Sequence, residues 1–200
     1  MATNEYQDFL ARQLAARAIE MKIGLTRAFL YSEKSSSAGS DTVYRTMAGL
    51  RNWARDNSGV VDSVSSAANY AQLNLTNKSI VDKGVFPDTL IIGTDLVGSI
   101  QAIDSTVRRL RESDTTVGYV VQDVVLAQGN AVRVVVDSRV KAGDFFLIDN
   151  SRVSYRPLNG RAMQVIAATD FVDGKKRRIL GEWTSEVRNP QGIGYGYNKT

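Results

Sequence analysis

From Glu5 to Ser32 the chain carries no proline, and Leu10, Leu14, Ala18, Met21, Leu25 and Phe29 recur at spacings of three and four. That period places them on one face of a helix, with Arg12, Arg17, Glu20, Lys22 and Arg27 mostly off it. Thr3 or Asn4 is placed to cap the first turn by accepting a backbone N–H. At about 1.5 Å per residue the helix runs roughly 42 Å, so the rest of the chain must be built against it. Gly24 costs about 1 kcal/mol against alanine inside a helix, which predicts a close backbone approach there. The seam is Ala-rich and lasts too few heptads for a coiled coil, which favours a core helix.

Behind the helix, 33–42 is a Ser/Gly-rich loop, and Met47-Ala48-Gly49-Leu50 through Trp53 returns Leu50 and Trp53 to the core. Ser63 to Gly84 reads as a second helix, and Thr89 to Gly93 as a short buried strand. Thr94 or Asp95 then caps a third helix reaching Leu110, on the spacing of Leu96, Ile100, Ile103 and Leu110. After Glu112 the pattern changes to β-branched and aromatic runs at Tyr119–Val121, Val124–Leu126, Val132–Val136 and Phe145–Ile148. Gln128-Gly129-Asn130 and Ala142-Gly143-Asp144 separate them as turns. Arg161 to Phe171 and Lys176 to Arg188 flank Val172-Asp173-Gly174-Lys175, where Asp-Gly suits a primed two-residue turn. Asn189-Pro190 ends the last strand, and the glycine-rich remainder from Gly192 predicts a flexible tail. Helices first and antiparallel strands after give an α+β layout.

Composition narrows the chemistry. Two hundred residues, 43% hydrophobic and 23% charged, are enough for a sizeable core. The chain has no Cys and no His, which removes disulfides, thiolate zinc sites, cysteine nucleophiles and the commonest general base and transition-metal ligand. No apolar run approaches a membrane span, and the N-terminus lacks the layout of a signal peptide. The formal net charge of +4 is compatible with a nucleic-acid neighbour without requiring one.

The remaining candidates each have a plainer reading. Lys175-Lys176-Arg177-Arg178 can meet phosphate, or simply form a solvated hairpin tip. Arg108-Arg109-Leu110-Arg111 at a helix C-terminus is favoured by the macrodipole without any ligand. Gly192, Gly194 and Gly196 lack the following helix that a phosphate-binding loop needs. Asp144 with Asp149, or Glu182 with Glu186, are carboxylate pairs with no cleft marked around them. Asn74 and Asn77 each head a glycosylation-type triplet by pattern alone. The residues assign no catalytic, metal-binding or cofactor-binding position.

The order of landmarks carries more. Ser37-Ala38-Gly39-Ser40, Met47-Ala48-Gly49-Leu50 with Trp53, and Phe86-Pro87-Asp88-Thr89-Leu90 follow the long helix. Tyr155-Arg156-Pro157-Leu158 and the run from Asp173 to Asn189 close the series. Together they resemble the major capsid (major head) proteins of tailed bacteriophages over nearly the whole chain. That resemblance implies the fold of phage Hong Kong 97. Residues 1–57 and 151–200 would form a peripheral domain around a spine helix at 5–32, and 58–150 an inserted axial domain of mixed α/β structure. It also makes the hairpin around Asp173, Gly174, Lys175 and Lys176 a peripheral loop that meets its counterparts at local three-fold axes. These four residues are therefore the candidate subunit contacts.

The implied function is structural and non-enzymatic: a phage or prophage subunit that self-assembles, as hexamers and pentamers, into an icosahedral head enclosing DNA. The DNA would be held non-specifically, with no cofactor and no membrane. The implied location is the virion capsid, after synthesis in the bacterial host cytoplasm. Members of the family carry an N-terminal arm and an extended loop ahead of the spine, whereas this sequence begins at the helix. Weak association of the 200-residue chain is the corresponding expectation. The alternative is a basic nucleic-acid-binding protein without catalytic activity.

Overall fold

The computed structural model describes residues 2–35, 45–56, 59–64, 69–101, 108–111, 120–167 and 177–198. Its spine is α1 (Ala2–Tyr31), a single helix of 30 residues and about 45 Å. The predicted face is the inner one. Leu10, Leu14, Ala18, Met21, Leu25 and Phe29 are all half-buried, while Arg12, Arg17, Glu20, Lys22 and Arg27 are exposed. Thr3 and Asn4 lie inside the helix rather than capping it. Gly24 does not mark the close approach expected of it: a β-carbon there meets nothing within 4 Å. The close approach is at Gly49 instead, where a β-carbon would fall 2.7 Å from the Ser32 amide nitrogen and 2.9 Å from the Ala28 carbonyl oxygen. That contact lets α2 (Leu50–Asp56) turn back onto the end of the spine, fixed by the Gly49 amide donating to Ser32 O at 2.7 Å.

Among the described residues the main sheet has seven strands. They are β1 (Val60–Val64), β2 (Thr89–Ile92), β3 (Arg108–Arg111), β4 (Val120–Val125), β5 (Ala131–Val136), β6 (Phe145–Ile148) and β11 (Gly194–Asn198). Their order is β1-β11-β6-β2-β5-β4-β3, with β1–β11 and β2–β5 parallel and the other pairs antiparallel. The sheet carries packed side chains on both faces. Leu90, Ile92, Val132, Phe145 and Leu147 join α3 (Tyr70–Val81) and the short α4 (Val97–Gln101) on one side. Phe146, Ile148, Ile193 and Tyr195 join Leu30, Leu50 and Ala54 of α1 and α2 on the other. Covering both faces accounts for the unbroken Phe145-Phe146-Leu147-Ile148 run, in which every side chain is buried.

Two predicted helices are shorter than expected. Ser63 and Val64 belong to β1, and α3 starts only at Tyr70, after Asn69 accepts the Gln72 N–H as its cap. β-branched Val60, Val61 and Val64 favour the strand, which pairs with β11. α4 ends at Gln101, and Arg108–Arg111 pair with β4 as an edge strand. The helix-terminus account of Arg108, Arg109 and Arg111 is therefore replaced by a charged sheet edge.

Gly192 to Asn198 is not a loose tail: β11 is an inner strand, between β1 and β6. Tyr195 and Tyr197 face the α1 and α2 side, and the glycines face α3. A β-carbon on Gly194 would lie 2.7 Å from Ile80 Cδ1, and one on Gly196 only 2.1 Å from Phe145 Cε1. Close packing, rather than flexibility, requires these glycines.

Beside the main sheet lie two ribbons. β7 (Val153–Pro157) pairs with β10 (Trp183–Val187), and β8 (Gln164–Ala167) with β9 (Arg177–Leu180), both antiparallel. Tyr155 fastens the first ribbon to the spine: its hydroxyl donates to Leu25 O at 2.5 Å and its ring stacks on Phe29 at 4.5 Å.

Candidate functional site

The carboxylates that might have been paired for acid–base work are each engaged elsewhere. Glu182 pairs with Arg161, and Asp149 accepts from Ser151 N and pairs with Arg152 at 2.9 Å. Glu186 accepts from Arg156 Nε at 2.5 Å and Arg188 Nε at 3.1 Å, and these two bonds push its pKa down to about 2. At Asp144 it is Tyr31 and Tyr195 that both donate to Oδ2, each at 2.9 Å. Among the described residues, no group of three His, Cys, Asp or Glu is placed to hold a metal ion. Asn77 is buried and bonded to Gln128 and Asn130, so the asparagine of its glycosylation-type triplet belongs to the interior.

What the described surface offers is contact area. The inner face of α1 is only half-covered, and Phe9 and Ile19 project from the helix at 59% exposure each. In β8 all four residues are exposed, among them Val165 and Ile166. Between α1 and the ribbons runs a groove of about 570 Å³, lined by Leu25, Ala28, Met47, Gly181 and Trp183 among others. Trp183 Nε1 is buried with no hydrogen-bond partner among the described residues, although its ring packs edge-on against Tyr155. Asp173, Gly174, Lys175 and Lys176 lie outside the described residues. The strands on either side of them are paired, with Ala167 opposite Arg177.

One polar centre escaped the sequence reading. Tyr31 from the end of α1, Asp144 before β6 and Tyr195 in β11 meet between the spine and the sheet. Burial raises the Asp144 carboxyl above the ordinary aspartate range, against two phenol bonds and the Lys141 and Arg51 charges, all of which lower it. Burial also raises both phenols, with Asp144 adding to the shift in each. The available signal was the alternation of glycine and tyrosine at 194–197, which is a strand period.

A chain that packs a long spine on two ribbons and a two-faced sheet, with exposed apolar strips and no catalytic cluster among the described residues, has a counterpart among known families. A family model described as SU10 major capsid protein matches residues 1–200. The chain belongs to the SU10 major capsid protein family. The fold is Hong Kong 97-like, as the resemblance implied. The holo-SrpI encapsulin complex from Synechococcus elongatus PCC 7942 is similar at a TM-score of 0.60 and 10% identity, covering 94% of this chain and 65% of that one. A structure from Mycobacterium phage Bobi is similar at a TM-score of 0.58 and 15% identity, covering 96% of this chain and 65% of that one. This capsid protein thus spans a little under two thirds of the length of both. No curated relative matches the sequence.

Proposed function

We propose that this chain is the shell-forming part of a tailed-phage or prophage head subunit, which self-associates symmetrically into an icosahedral shell around DNA and performs no catalysis. The family match over residues 1–200 carries the reading. The half-covered spine and the exposed β8 support it, because apolar surface left open on a folded chain serves association. In this reading 1–57 and 151–200 form the peripheral unit and 58–150 the axial one. The C-terminal strand β11 then joins the sheet formed by strands of the axial segment. The hairpin carrying Asp173, Gly174, Lys175 and Lys176 contacts its copies at three-fold axes, and hexamers and pentamers follow from the closed symmetry. Synthesis takes place in the host cytoplasm, and the subunit ends in the virion.

The test is titration of the full-length subunit with duplex DNA at two salt concentrations. The reading predicts weak binding without sequence preference. Nanomolar affinity that falls steeply with salt would instead make this a nucleic-acid-binding protein whose energy comes from counterion release.

A further inference from the structure

We propose that Tyr31, Asp144 and Tyr195 form a charge-dependent clasp between the C-terminal turn of α1 and the seven-stranded sheet, and that it loosens when the carboxylate takes up a proton. Three segments distant in sequence converge on one oxygen, because both phenols donate to Asp144 Oδ2 at 2.9 Å. Tyr31 Oη in turn accepts the Lys141 N–H at 2.8 Å, and the Lys141 ammonium lies 5.0 Å from the centre of the Tyr31 ring. Phe146 sits edge-on to Tyr31 at 5.7 Å and stacked on Tyr195 at 4.9 Å, filling the space below the polar atoms. Asp144 is only 5% exposed, and its own N–H is tied to Lys141 O, so the carboxylate is held in this turn.

The charged and titratable groups around it are few. Tyr31 faces Asp144 from α1, Arg51 acts on it from α2, Lys141 from its own loop, and Tyr195 from β11, with Tyr197 next along that strand. Asp95 holds the other side of the loop by accepting the Gly143 N–H at 2.6 Å. Among the described residues, no cation is within salt-bridge distance of Asp144, so phenol donors carry the compensation of a buried charge. Charge-assisted bonds of this kind are roughly twice as strong as neutral ones. A proton on Asp144 therefore weakens both phenol contacts while removing the burial cost of the charge. With the folded value above the unfolded one, this group's contribution to stability rises as pH falls through the folded value.

The experiment follows the Tyr31 and Tyr195 ring carbons by NMR, and the amide-exchange protection of Lys141, across pH in the 200-residue chain. Both rings are expected to titrate together through one midpoint above the ordinary aspartate range, with Lys141 protection falling several-fold through it. Asp144→Asn abolishes the step. Tyr31→Phe and Tyr195→Phe each move the remaining tyrosine's midpoint upward, because each removes a bond that favours the charged form. Independent titration of the two rings, a midpoint in the ordinary range, or an unmoved midpoint in both Phe variants overturns the clasp. Should Asp144→Asn fail to fold, the two Phe variants decide the matter alone.

Discussion

Gly196 lies against Phe145, whose buried ring stands 2.1 Å from where a β-carbon would be. Gly196→Ala is expected to lower stability by about 1–3 kcal/mol through overpacking, read as a reduced urea midpoint. Gly24→Ala should do the reverse. It has open space around it, so it gains up to about 1 kcal/mol of helix propensity. Glu186 supplies a pH prediction. Its folded pKa of about 2 lies below the ordinary 4.5, so its contribution is complete above about pH 4.5 and is lost as pH falls toward 2. Glu186→Gln should flatten that part of the acid limb in urea titrations at successive pH values; an unchanged slope would mean that the Arg156 and Arg188 bonds do not persist in solution.

Among the elements, the spine shows how burial grades energy along one helix. Leu30 is 2% exposed, and Leu30→Ala should cost about 2–5 kcal/mol. Leu14 is half-buried in the isolated chain, so Leu14→Ala should cost about 1 kcal/mol, a fraction of the full transfer value. Equal losses in urea titrations of the two variants would show that the N-terminal half of α1 is more covered in solution than here. The helix itself was legible because six apolar residues, from Leu10 to Phe29, keep one period across about five turns. β6 was legible as a buried run, and the turns at Gly129 and Gly143 adopt the positive φ that glycine permits. Where two periods competed, the reading failed. Val60–Val64 adjoins a helical pattern, and Leu110 keeps the spacing of Leu96 and Ile100 although it pairs with β4. β11 was missed for another reason: glycine was read as freedom, when the neighbours of Gly194 and Gly196 leave room for nothing larger. The junction of Tyr31, Asp144 and Tyr195 depends on partners 51 to 113 residues apart, which no local pattern records.

The molecule as a whole is closed across its main sheet, which is packed on both faces, and open along its spine, whose inner face is half-covered. The β8–β9 ribbon exposes Val165 and Ile166, and in the shell proposed above symmetry multiplies whatever Lys175 and Lys176 contribute to contacts between copies. On the proposed contact, reversing charge at Lys175 or Lys176 in the full-length subunit should reduce assembly yield while leaving the melting temperature nearly unchanged, since a charge at the surface of the lone subunit is worth under about 1 kcal/mol. The most direct measurement of the central claim is sedimentation of the full-length subunit under assembly conditions, with electron microscopy of the fast fraction. Closed shells of uniform diameter built from this chain are expected. Slow-sedimenting monomers under every condition, with no particles in the images, would contradict it.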